Sequence, residues 1–293
     1  MAYDAFPMLT IATKLIRVGH SPDPDDAFMF YALAKKKIPM QGFEVQHVIE
    51  DIEGLNQRAL GGELEVTAVS CHAYAYLADR YWVMPAGASV GDNYGPILVG
   101  REGSSAKFKN NIRGKKIAVP GKLTTAYLVL QLYESGFEPV FIPFDQIFAA
   151  VESGKADLGL VIHEGQITFA KKGFEKILDL GRWWHEKTGL PLPLGVDIIR
   201  RDLGPETIVS FTKLFKASIE YALAHREEAL KYALTYGRGI SEKLGDQFVG
   251  MYVNHFTVDL GKKGEEGFKK LLSLANEKRI IPREVIPEFV RLE

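Results

Sequence analysis

The sequence predicts an α/β protein of two lobes hinged as a clamshell, each lobe a mostly parallel sheet flanked by helices. Three observations point there. Short apolar strands alternate with helical stretches from Ile16 to Ile162, the order that builds parallel sheets with right-handed crossovers. That order runs twice: Gly62–Ser70 lies over Gly154–Ile162 with glycine on glycine and Glu65 on Asp157. The 293 residues also exceed the roughly 150 of one typical domain.

The first unit opens with a strand at Ile16–Gly19, followed by the turn-rich Ser21–Asp26 and a helix from about Asp26 to Lys37. Acids at that helix's start and lysines at its end suit the helix dipole. Phe43, Val45 and His47 alternate with Glu44 and Gln46, the period of a half-exposed strand. Asp51–Leu60 reads as a helix stopped by Gly61 and Gly62, Leu64–Val69 as a strand, and His72–Arg80 as a helix.

The second unit repeats the series. Lys116–Val119 is a strand, Pro120–Lys122 a turn and Thr124–Ser135 a helix. Val140–Pro143 is a strand, Asp145–Glu152 a helix and Leu158–Ile162 a buried strand, with helix or loop from Gln166. Gly95–Gly100 and Gly189–Gly195 read as crossings between lobes. Four helices follow at Pro205–His225, Arg226–Tyr236, Glu242–Tyr252 and about Gly264–Lys278, expected to pack on the first lobe. The resulting division is 14–98 with 196–293 as lobe 1, 99–195 as lobe 2, and 1–13 as an N-terminal extension.

Composition narrows the function. Lysine and arginine total 36 against 37 acids, a net charge of −1, which offers nucleic acid or an anionic membrane no attraction. The single cysteine, Cys71, excludes an intrachain disulfide and any multi-cysteine metal centre. Met1–Arg17 lacks the charged start, apolar run and small-residue cleavage site of a signal peptide. No stretch approaches the ~18 apolar residues of a membrane span. A cytoplasmic protein without membrane insertion is expected.

Ligands of such sheets bind beyond the carboxyl ends of the strands. That rule selects the loops Gly19–Asp26, Ser70–His72, Pro120–Thr125 and His163–Gln166. His163 follows a buried strand directly and precedes a helix start, whose positive end favours a neutral imidazole able to act as a base. The same position suits a histidine that only caps the strand, and the residues alone leave both readings open. Thr124, Thr125 and Ala126 open a helix whose free N–H groups can take a carboxylate, though the hydroxyls read equally well as caps. Ser70 faces the same cleft, with the backbone of Ala68 and Val69 beside it. Cys71 and His72 are adjacent on a strand exit and point apart, so they form no nucleophilic couple. Asp23, Asp25 and Asp26 lack the glycine and terminal glutamate of a calcium loop and read as helix N-terminal charge. The remaining histidines show no metal-ligand spacing, so no metal is expected. Trp183 and Trp184 read as anchors of a packed turn.

At these motifs the chain resembles a known family. Ser21-Pro22-Asp23-Pro24-Asp25-Asp26-Ala27-Phe28-Met29-Phe30-Tyr31-Ala32-Leu33 is similar to the opening motif of the 1,4-dihydroxy-6-naphthoate synthases, enzymes of the futalosine route to menaquinone. The likeness continues through Val119–Tyr127, Ile162-His163-Glu164, Leu180–Trp184, Thr188–Gly195 and Tyr252-Val253-Asn254. It spans almost everything from Ile16 onward. The resemblance implies the fold of type II periplasmic binding proteins, His163 as catalytic base, and substrate contacts at Ala68, Val69, Ser70, Thr124, Thr125 and Ala126. It implies a lyase that converts cyclic dehypoxanthine futalosine, a small carboxylate-bearing molecule, to the dihydroxynaphthoate without a cofactor. The family's motif carries Cys, Asn and Thr where this chain has Asp23, Asp25 and Ala27, so no substrate role carries over to those three. Two rival readings share the clamshell: the chorismate dehydratase of the same pathway, and a non-catalytic small-molecule-binding protein.

Overall fold

A computed structural model describes residues 13–108, 111–236 and 241–292. Residues 1–12 of the expected N-terminal extension lie outside the described residues. In the first half the elements are β1 (Lys14–His20), α1 (Pro24–Ala34), β2 (Phe43–Ile49), α2 (Ile52–Gly61), β3 (Val66–Ser70), α3 (Cys71–Tyr74), β4 (Tyr81–Val83) and β5 (Ser89–Gly91). The middle holds β6 (Ile97–Arg101), α4 (Ser105–Phe108), β7 (Lys116–Val119), α5 (Thr125–Tyr133), β8 (Glu138–Phe141), α6 (Ile147–Glu152), β9 (Leu158–Val161), α7 (Gly165–Thr168), β10 (Phe174–Asp179) and α8 (Leu180–Thr188). After β11 (Leu192–Arg200) the described elements are helical: α9 (Pro205–Ala224), α10 (Arg226–Leu234), α11 (Glu242–Tyr252), α12 (His255–Val258) and α13 (Gly261–Glu277).

Two sheets result. The first runs β2-β1-β3-β11-β4, with β5 also on β11; the second runs β10-β6-β9-β7-β8. The expectation of mostly parallel sheets holds for three strands of each, β2-β1-β3 and β8-β7-β9, and fails beyond them. β11 lies antiparallel to β3, and β6 antiparallel to β9. The reason is the double crossing. A strand arriving from the other sheet enters at the end where the parallel strands finish, so it must run back against them. The chain changes sheet between β5 and β6 and again between β10 and β11, a few residues before the expected boundaries at 98/99 and 195/196. Gly95 and the 189–191 turn lead into strands here and do not form a free linker.

The helix expected over His72–Arg80 is a single turn, α3, followed by tight turns such as Leu77 N–H to Tyr74 O at 2.9 Å. Residues 75–80 form successive turns that lead directly into β4 at Tyr81. α9 to α11 pack over α1 on the first sheet, as expected, while α13 lies against β11 and reaches α5. Trp184 is fully buried and donates its indole N–H to Pro191 O at 3.0 Å, fixing the turn it was expected to anchor. One apolar core runs from Val69 and Val90 of the first sheet through α5 and Trp184 to Leu158 and Leu160 of the second. Burial on that scale makes the two sheets share one interior near the crossings. Among the described residues, no helix is long and apolar enough to cross a membrane.

Candidate active site

The residues that follow β1, β3, β7 and β9 line one cleft, enclosing about 730 Å³ that includes open solvent. All seven residues singled out from sequence reach it: Ala68, Val69, Ser70, Thr124, Thr125, Ala126 and His163. Topology produces this convergence, since parallel strands deliver their carboxyl-end loops to one edge.

Ser70 ends β3, where the buried Asn56 of α2 holds it on both sides. Ser70 N–H donates to Asn56 Oδ1 at 2.9 Å, and Asn56 Nδ2 donates to Ser70 Oγ at 3.2 Å. Val69 turns its side chain into the core, so only its backbone is available to the cleft. Thr124 is the N-cap of α5: its Oγ1 accepts from Tyr127 N–H at 3.3 Å and donates to Gly121 O at 3.0 Å. Thr125 Oγ1 donates to Leu194 O at 2.6 Å and accepts from His72 N–H at 3.3 Å. Both hydroxyls are thus committed to protein partners. What this corner can offer an anion is the N–H groups of Thr125 and Ala126, since that of Tyr127 is taken by Thr124 Oγ1.

His163 has φ 55°, the left-handed region that histidine enters more readily than most side chains. The bend turns the chain sharply after β9 and carries the ring across the cleft. There Nδ1 lies 2.9 Å from Asp23 Oδ2, and Ser21 Oγ donates to that same oxygen at 2.7 Å. Burial by itself would lower the imidazole's proton affinity, but the Asp23 charge and hydrogen bond outweigh it and raise the pKa to about 9. The expectation of a neutral ring is therefore corrected. α7 is one turn long and exerts little dipole, while the carboxylate opposite belongs to the other sheet's loops and leaves no local trace in sequence.

Asp23, Asp25 and Asp26 are more than helix N-terminal charge. Asp23 occupies the N-cap of α1 yet makes no side-chain cap, because its carboxylate serves His163. Asp25 and Asp26 are buried in the first turn and line the cleft. Burial, with neighbouring acid charge, holds Asp25 well above the usual carboxylate range. Burial also lifts Asp26 to about 6, against a 2.7 Å hydrogen bond from Ser21 N–H. Asp197 of β11 joins them, likewise pushed well above the ordinary range by burial and then by the Asp26 charge. Among the described residues, no group of three His, Cys, Asp or Glu side chains is placed to hold a metal ion. Cys71 is fully buried and its thiol is pushed up by burial, which suits a packing residue and not a nucleophile.

Further contacts close the cleft. Tyr252 Oη of α11 donates to Gln166 Oε1 of α7 at 2.7 Å, and Leu123 N–H donates to Glu53 Oε2 of α2 at 3.2 Å. Sequence reasoning missed Asp23, Asp25, Asp26, Asn56, Gln166, Tyr252 and Asp197. The loop holding the first three had been selected by the strand-end rule. A lone acid inside the apolar run Val196-Asp197-Ile198-Ile199 was the available signal for the last.

Comparison with known proteins places this geometry among relatives. Residues 16–277 match the family described as Menaquinone biosynthesis. A 1,4-dihydroxy-6-naphthoate synthase of Thermus thermophilus is 40% identical over 277 residues, covering 94% of this chain and 100% of the relative. That of Streptomyces coelicolor is 35% identical, with 93% and 96% covered. A crystal structure of an Archaeoglobus fulgidus protein superposes with a TM-score of 0.86 at 48% identity, covering 91% of this chain and 98% of the other. The periplasmic aliphatic sulphonate binding protein of Escherichia coli shares the fold at 14% identity, with a TM-score of 0.65 and 94% and 90% covered.

Proposed function

The chain belongs to the menaquinone biosynthesis family, and from that premise we propose that it is the carbon–carbon lyase that forms 1,4-dihydroxy-6-naphthoate from cyclic dehypoxanthine futalosine. The observation that carries the mechanism is the His163–Asp23 pair at the cleft, 2.9 Å apart. Asp23 takes Nδ1, so in the unprotonated form of the ring Nε2 is the nitrogen that removes a substrate proton. The electron pair of the broken C–H bond completes the aromatic ring as the carbon–carbon bond to the sugar-derived fragment breaks, and that fragment leaves with the bonding pair and takes up a proton. General base catalysis of this kind contributes about 10²–10⁴-fold. A substrate carboxylate docks at the N-terminus of α5, on the N–H groups of Thr125 and Ala126, with Ser70 and the β3 backbone flanking it. Enclosure by the two lobes excludes water and orients the substrate.

The test is turnover by purified protein. Incubation with the cyclic futalosine derivative should release the dihydroxynaphthoate, incubation with chorismate should release nothing, and His163→Ala should lose about 10²–10⁴-fold in kcat. Binding without turnover would leave only a ligand-binding protein, and full activity in His163→Ala would remove the base from the scheme.

A further inference from the structure

Asp197 has no task in that scheme, yet its setting is built. It lies in β11 opposite Ala68, is 1% exposed, and lines the cleft. Among the described residues, Asp197 Oδ1 is buried without a hydrogen-bond partner. Room for the carboxyl is made by Gly87 at φ +96°, where a Cβ would collide with Asp197 Oδ2 and the Phe215 ring. Asp25 Oδ1 is a second buried, unpartnered carboxyl oxygen on the same cleft. Unsatisfied buried polar atoms are few in folded proteins, and two on one wall of a cleft call for a ligand.

We propose that Asp197, flanked by Asp25 and Asp26, is a hydroxyl-binding subsite that receives the sugar-derived end of the substrate. The inference rests on the functional reading above and assigns the substrate's orientation within it. The N–H groups of Thr125 and Ala126 suit the substrate carboxylate, whereas the buried carboxyls of Asp25, Asp26 and Asp197 offer it no donors of that kind. Hydroxyls meet the opposite requirement, since each donates to one carboxyl oxygen and accepts from a protonated one. Burial raises the proton affinity of Asp197, which favours the carboxylic acid form that can act as such a donor. The titratable groups that line the cleft with it are Asp23, Asp25, Asp26, His163 and Tyr252. Asp197 is thus a positioning residue.

The experiment measures equilibrium binding in a His163→Ala parent, which does not consume substrate. Two probes are used: cyclic dehypoxanthine futalosine, and the dihydroxynaphthoate product, which keeps the aromatic carboxylate and lacks the sugar. Adding Asp197→Leu should weaken the substrate about tenfold or more and leave the product within about twofold. Asp197→Asn, which retains a donor and an acceptor, should stay near the parent for both. Removing an unpartnered buried carboxyl should not lower thermal stability, so a Leu variant that fails to fold assigns a structural role and overturns the subsite. Equal loss of both probes, or loss of neither, overturns it too. A parent that binds neither probe overturns the functional reading itself, which separates the two failures.

Discussion

The Asp23 carboxylate sets the proton affinity of His163, and this has a kinetic signature. With a pKa of about 9 the ring is protonated at neutral pH, so kcat/KM should rise with pH and level off near 9. Asp23→Asn removes the charge that opposes burial. The inflection should then fall to the ordinary imidazole range or below it, and kcat should drop by about 10²-fold, as a pH–rate profile of the two proteins would show. An unmoved inflection would detach Asp23 from the base. His163 was legible in sequence because a histidine directly after a buried apolar strand in an α/β protein stands at a ligand edge. Its partner was not. Asp23 and His163 lie 140 positions apart on different lobes, and no local pattern records a pairing made by closure. Asp25 and Asp26 were visible as residues and misjudged as environment, because acids at a helix start look alike whether solvated or buried.

At the scale of elements, the start of α5 carries the substrate carboxylate in this reading, and its two threonines hold that start in place. Thr124→Val loses a cap worth about 1 kcal/mol, and Thr125→Val loses the bond to Leu194 O. Together they should lower the melting temperature and raise KM several-fold with little change in kcat, because the hydroxyls shape the anion site and do not touch the reacting bond. An unchanged KM would rule out docking at this helix. Helices and parallel strands were readable from periodicity and punctuation, as at Lys116–Val119 and Pro205–Ala224. The reversed β6 and β11 were not, since strand direction depends on where the chain re-enters a sheet. β11 was hidden further by Pro191 and Pro193, which read as linker and in fact lead into and lie within the strand.

The whole molecule should show the same electrostatics as pH-dependent stability. A group whose proton affinity rises on folding stabilises fully below its unfolded pKa and stops doing so as pH passes its folded one. For His163 that window runs from 6.5 to about 9, and for Asp26 from 3.8 to about 6. Buried Asp25 and Asp197, held well above the carboxylate range, act in the same sense. Thermal melts should therefore fall steadily between pH 6.5 and 9, and Asp23→Asn should flatten that slope. A melting temperature constant over this range would contradict the pairing. The two-lobed architecture itself was legible from the repeated order of elements, while the tightness of the cleft was not, because Tyr252–Gln166 and Leu123–Glu53 are made only when the lobes meet.

The imidazole and the carboxylate that raises its proton affinity are carried by different sheets, so the spacing of the two sheets is written into the ring's charge: the closer His163 sits to Asp23, the more firmly it holds a proton.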